Sequence, residues 1–266
     1  MPVLEKAFKT GNIQKKRIDQ HSIIVSDLIT FEYPLHERSR TLLRLSHSFK
    51  QFDYHLMLEN MWETRAAMTA MLNISAMLAR ADIKSDLIKE MERQSVALGK
   101  MRLSQGVDAE RLEEILLQLN TNIANLHNVD GQLGKAIRDN EFLKVILQRG
   151  SLPGGDSDFD LPLYFYWLEL PHPQRVAQLQ KWMLTIKPLR QSVDLLLMLV
   201  RGSNIARDEI AENGFFQKTL DGNVTVQLIR IVMNKQERLY PEVSGSKHRF
   251  NIRFMETTAL EHPQQT

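Results

Sequence analysis

No cysteine occurs anywhere in the 266 residues. That absence excludes disulfides, thiolate metal ligands and cysteine nucleophiles, and it fits a reducing compartment. Long apolar runs are missing too. No stretch approaches the roughly 18 to 20 residues that span a bilayer. The polar opening from Met1 to Gln20 carries Lys15, Lys16 and Arg17 but lacks the apolar segment that follows such charges in a signal peptide. A cytoplasmic protein without direct membrane contact is the expectation. Net charge is nearly absent as well: 34 Lys and Arg against 32 Asp and Glu leave +2. A basic site must therefore be a local patch and not a field of the whole molecule, which counts against non-specific nucleic-acid binding.

The common motifs of catalysis and metal binding are also missing. Asp156, Asp158 and Asp160 have the spacing of the first ligands of a calcium loop, but Leu161 stands where that loop needs glycine and Trp167 where it needs the bidentate glutamate. Gly99-Lys100 and Gly134-Lys135 are not followed by Ser or Thr, and neither has the earlier glycine of a phosphate loop. The eight histidines include no His-x-x-x-His pair, and no Gly-x-Ser-x-Gly elbow occurs. These absences do not exclude an enzyme but leave it without a visible catalytic site, and they imply no metal or cofactor site.

What is present is a large apolar fraction, 43%, enough to bury one large core or two smaller ones. Residues 1–21 show no sustained apolar period and are expected to form a mobile N-terminal extension. Ile23, Ile24, Val25, Ile29, Thr30 and Phe31 predict a strand over 22–36, stopped near Pro34. Leu42, Leu45, Phe49, Phe52 and Leu56 then change the period to three and four, and helical stripes continue: Trp62, Met68, Met71, Leu72, Ser75 and Leu78; Leu87, Ile88, Met91, Leu98 and Met101 after a Ser85 cap; Leu112 to Leu126 after Asp108. The methionines read as core. Residues 37–149 and 172–202 are thus expected to form a helical domain. Phe159 to Leu170 reads as aromatic and extended, so 150–171 is grouped with 203–256 in a smaller antiparallel β domain, with strands at Phe215 to Leu220, Val224 to Met233 and Lys247 to Met255 and Asp221-Gly222 as turn chemistry. Residues 257–266 are a polar tail. The fold class is α+β.

Within the β domain, Gly245 to Met255 is the stretch most suggestive of function. As a strand it puts Lys247, Arg249, Asn251 and Arg253 on one face and His248, Phe250, Ile252 and Phe254 on the other. No acidic residue lies between Glu242 and Glu256 to neutralise the cations. The pattern fits an anionic partner, and it fits equally an outer face whose charges only keep it in water. A nucleic-acid-binding module could use the same cations, although the strand's aromatics alternate onto the opposite face from the one that would stack bases.

Three blocks together resemble one family. They are Phe31-Glu32-Tyr33-Pro34-Leu35-His36-Glu37-Arg38-Ser39-Arg40-Thr41-Leu42-Leu43-Arg44; Ser151-Leu152-Pro153-Gly154-Gly155 with Phe159-Asp160-Leu161-Pro162 and Trp167-Leu168; and Leu239-Tyr240-Pro241-Glu242-Val243-Ser244-Gly245 running into Lys247 to Met255. In this order they are similar to the bacterial cell-division family ZapD. The resemblance implies a cytoplasmic, non-enzymatic homodimer at the mid-cell division ring, without a cofactor, that binds the C-terminal tail of FtsZ, the tubulin-like division protein, and cross-links its filaments. It implies a basic binding surface made by Arg40, Arg44, Lys247, Arg249 and Arg253, with Tyr240 or the stretch 164–167 offering an apolar groove. Two positions that are basic or histidine in some relatives are Glu141 and Phe165 here.

Overall fold

The computed structural model describes residues 4–9, 27–80, 82–104, 106–150, 152–203, 205–221, 226–246 and 248–257. Two strands come first, β1 (Leu4–Lys9) and β2 (Leu28–Pro34). Helices follow: α1 (Glu37–Leu56), α2 (Met61–Arg80), α3 (Ile83–Gly99), α4 (Ala109–His127), the single turn α5 (Lys135–Arg138), α6 (Glu141–Arg149), α7 (Pro162–Leu168), α8 (His172–Leu184) and α9 (Lys187–Gly202). The chain then returns to strands, β3 (Arg207–Ile210), β4 (Phe215–Thr219), β5 (Leu228–Asn234), β6 (Leu239–Gly245) and β7 (Arg249–Glu256). The fold is α+β, in two units. One runs from Leu42 to Leu196; the other is drawn from the chain's two ends, up to Thr41 and from Leu197.

The helical unit is organised by caps and an apolar stripe on each helix. Asp82, Asp108 and Asn140 accept hydrogen bonds from the backbone N–H groups of Ser85 (3.2 Å), Arg111 (3.0 Å) and Leu143 (3.1 Å), satisfying donors that the first turn leaves orphaned. The cap of α3 is therefore Asp82 and not Ser85, whose own N–H is the group being capped. Leu45, Phe49, Met68, Met71, Ile74, Leu87, Met91, Leu119 and Leu126 are buried, so the methionines of the stripes do pack as core. Trp62 does not: it is 65% exposed at the start of α2.

The segment 150–171 corrects the sequence reading. It is turn followed by the helix α7, inside the helical unit, and contributes no strand. Pro162 occupies the first helical position, where its missing N–H costs nothing and its fixed φ suits the helix. Leu161, Tyr164, Trp167 and Leu168 are buried while Leu163 and Tyr166 stay exposed, a spacing of three and four hidden under an aromatic-rich composition. Tyr164 and Trp167 stack with ring centroids 6.0 Å apart, and Phe142 and Trp182 complete the cluster. The buried Arg175 binds the end of this segment, donating to the carbonyls of Leu168 and Leu170 and, at 2.7 Å, of Glu59.

The second unit packs two sheets face to face. One has the order β4-β7-β6 and is antiparallel throughout; the other has the order β2-β5-β1-β3. The second sheet is mixed and not antiparallel as expected, since β1 runs parallel to both β5 and β3. That strand also corrects the reading of residues 1–21 as an extension, because Leu4–Lys9 fills the position between β5 and β3. The first part of the strand expected over 22–36 lies outside the described residues, as does Gly222. The strands flanking Asp221, β4 and β5, belong to different sheets, so no hairpin joins them. Ile229, Ile231 and Met233 of β5 meet Phe250, Ile252 and Phe254 of β7 in the core, with Ile29, Phe31, Tyr33, Phe216, Leu239 and Val243 around them.

On the other face of the mixed sheet, Glu32 is held by two guanidinium groups. Arg201 at the end of α9 pairs with it bidentately at 2.7 and 2.8 Å, and Arg230 approaches at 3.2 Å. Such a fork-to-fork pair fixes orientation as well as contributing energy. Gly245 closes β6 tightly against the core: a Cβ there would lie 2.8 Å from Cβ of Phe250. Ile252→Ala should cost about 3 kcal/mol by deletion of a fully buried side chain, read as a lower urea midpoint at unchanged m-value. A loss below about 1 kcal/mol would contradict the packing described.

Candidate functional site

The antiparallel sheet β4-β7-β6 turns one face to the core and one to solvent, and its register sets out the solvent face in rows. Pairing aligns Phe215, Arg253 and Glu242 in one row and Gln217, Asn251 and Ser244 in the next; Thr219 and Arg249 pair in the third. Opposite residues in such rows have Cα atoms about 4.5 to 5.5 Å apart. Arg249 and Arg253 are exposed and Asn251 is half-buried, while Phe250 and Ile252 are fully buried and Phe254 nearly so. The alternation read from the sequence is thus the alternation of the structure, except at His248, which precedes the strand and is exposed. A groove of about 520 Å³ lies on this face, lined by Phe215, Glu242, Val243, Ser244, Asn251 and Arg253.

Of the cations named from the sequence, the structure brings Arg249 and Arg253 together on β7, four residues and about 13 Å apart along an extended strand. Lys247 lies outside the described residues. Arg40 sits in the first turn of α1, where it pairs with Glu37 at 3.6 Å. Arg44 follows one turn later, exposed, so the two share one side of that helix. Neither Arg44, Arg249 nor Arg253 makes an ion pair with a described residue. Their charge is left to solvent or to a ligand.

Sequence reasoning missed four members of the groove, Phe215, Glu242, Val243 and Ser244. Phe215 belongs to a strand more than 30 residues before β7 and is 43% exposed, an aromatic beside Arg253 that only the β4–β7 register reveals. Glu242 bounds the acid-free window in sequence, yet it is the cross-strand neighbour of Arg253. Of the stretch 164–167, Tyr164 and Trp167 are buried in the aromatic cluster, while Phe165 is half-buried and Tyr166 exposed. Tyr240 is half-buried, opposite Met255. Glu141 opens α6, exposed, with Lys144 at 3.4 Å, and Phe165 is half-buried on α7.

The acidic run has a structural use. Arg65, itself buried, donates to the carbonyl of Asp156 at 2.8 Å and to the carboxylates of Asp156 and Asp158 at 3.2 Å each. Its guanidinium lies over Trp62 (5.2 Å) and Tyr164 (5.1 Å), a desolvated cation–π arrangement. These carboxylates therefore hold the 152–160 loop to α2. No group of three or more potential metal ligands occurs among the described residues, and no helix among them is long and apolar enough to cross a membrane.

Comparison with known proteins places this geometry in a family. The model of the ZapD cell division protein family matches residues 43–253. The chain belongs to the ZapD family. Its similarity to the cell division protein ZapD of Methylococcus capsulatus extends over 237 residues at 37% identity, covering 89% of this chain and 93% of that protein. A role in cell division follows, and the ZapD match spans every lining residue of the groove as well as Arg44, Arg249 and Arg253. In this ZapD-family chain, Arg65→Ala should open the 152–160 loop to limited proteolysis while leaving the helical content intact. Unchanged resistance to cleavage would show that the clamp is dispensable.

Proposed function

We propose that this protein binds the C-terminal tail of FtsZ on the outer face of β7 and, as a homodimer, cross-links and bundles FtsZ filaments, stabilising the division ring. The observation that carries the reading is the pair Arg249 and Arg253, turned outward and without an ion pair to any described residue, while Phe250, Ile252 and Phe254 anchor the strand from behind. Guanidinium groups stay charged and can pair bidentately with carboxylates, so they suit an acidic peptide. Arg40, Arg44 and Lys247 are assigned to the same basic surface on the strength of the family resemblance. The role is that of a binding protein without catalytic residues or cofactor, working in the cytoplasm at mid-cell. A peptide ligand is preferred over nucleic acid because Phe250 and Phe254 of β7 are buried, so that Phe215 is the one aromatic among the groove's lining residues and successive bases would find no row of rings to stack on.

Bundling then rests on avidity. Each protomer holds one tail weakly, and a twofold dimer holds two tails on neighbouring filaments, which makes the second contact effectively intramolecular. The variant carrying Arg249→Glu and Arg253→Glu should abolish sedimentation of FtsZ bundles without changing dimer mass or helicity; bundling at the wild-type level would sink the site. Tail binding should also weaken as salt rises, because exposed pairs are screened over about 8 to 10 Å at ordinary ionic strength. Affinity unchanged between 50 mM and 500 mM salt would move the recognition from charge to apolar anchoring.

A further inference from the structure

The row across the groove joins three chemistries. Phe215 supplies an exposed aromatic surface, Arg253 a cation and Glu242 an anion, aligned across three adjacent strands by the ladder. The cation is not consumed by its neighbour, since Glu242 and Arg253 form no salt bridge although they stand opposite each other. The next row, Gln217, Asn251 and Ser244, is uncharged and can hydrogen-bond, and Asn251 carries a buried carbonyl oxygen with no partner. A second cation, Arg249, follows beyond it. A face built only to attract negative charge would have no use for a carboxylate beside its cation: placing Glu242 there weakens attraction for any anion that comes near it.

We propose that the row Phe215, Arg253 and Glu242 is a specificity element, which seats a carboxylate of an extended peptide with an apolar side chain on the Phe215 side and repels a further carboxylate on the Glu242 side. This rests on the peptide-binding reading above and says what kind of peptide the face takes. Phe215 contributes by burying apolar area against the ligand's own apolar group, and Arg253 by charge-assisted hydrogen bonds. Glu242 acts by repulsion, discriminating against uniformly acidic ligands. The uncharged row allows the backbone between two anchored carboxylates to hydrogen-bond, and the spacing of about 13 Å between Arg253 and Arg249 matches carboxylates four residues apart on an extended chain. For a polyanion such as nucleic acid, which has phosphates at every step, the repulsion by Glu242 offsets the attraction of Arg253.

The test uses the full chain and the FtsZ C-terminal peptide, with its single-alanine scan and a version carrying one added Asp next to each existing carboxylate in turn. Affinities are measured for the wild type and for Phe215→Ala, Phe215→Leu, Glu242→Gln and Arg253→Glu. Phe215→Ala should weaken the parent peptide about five- to ten-fold, Phe215→Leu distinctly less, and the loss should vanish for the peptide whose seated apolar residue is already alanine. Glu242→Gln should strengthen the parent peptide and erase the discrimination against at least one peptide with an added Asp. A Phe215→Ala loss that is the same for every peptide of the scan, or a Glu242→Gln variant indistinguishable from wild type, overturns the row while Arg253→Glu still abolishes binding. Normal binding by Arg253→Glu overturns the peptide site itself, and the row with it. Thermal melts of Phe215→Ala and Phe215→Leu separate a folding defect from a lost contact, because only the contact depends on which peptide is bound.

Discussion

The strict two-residue period of β7 is the constraint on which the candidate site depends. Phe250, Ile252 and Phe254 are locked into the core between the two sheets, and a slip of one residue would drive Arg249 and Arg253 into that core and bring the aromatics out. Burying an unpaired guanidinium is costly enough to make the alternative register inaccessible. The outward cations are therefore positioned by the apolar residues between them. Gly245 fits the same arrangement, since its bare Cα lets β6 approach Phe250 in the register that places Glu242 opposite Arg253.

Much of this was legible in the sequence, for physical reasons that differ by element. The α+β class, the stripes of α1 to α4 and the faces of β7 follow from local periodicity, which the final packing respects. The helix α7 does not follow from composition, because its residues are those that strands favour, while Pro162 is its first residue. Tertiary context overrode composition there. The strands β1 and β3 have few residues, and their ladders join partners far apart in sequence: β1 pairs with β3 and, more than 200 residues later, with β5. No local signal encodes such a pairing. The parallel direction of β1, and hence the mixed sheet, was invisible for the same reason.

The site divides along the same line. Arg249, Asn251 and Arg253 sit on one strand and could be found from its alternation alone. Phe215 and Glu242 join them only through the register of β4 and β6, and Glu242 reverses one inference outright: the window that holds no acid in sequence has one in space. The acidic triplet at 156–160 shows the opposite case. Its spacing resembles that of a calcium loop without the required glycine and glutamate, and Asp156 and Asp158 are held by Arg65, which lies some 90 residues away and stacks on aromatics from two helices. Membership of the ZapD family shows a cell-division role, and in this chain the charged outer face of β7 is set by its apolar inner one.

The central claim is that the outer face of β4-β7-β6 receives the FtsZ tail. It is tested most directly by titrating the isotopically labelled protein with an FtsZ C-terminal peptide and following amide chemical shifts residue by residue. The account predicts saturable shifts concentrated on Phe215, Glu242, Ser244, Asn251 and Arg253 and on their immediate neighbours. Saturable binding that leaves these residues unmoved and shifts others instead would contradict it.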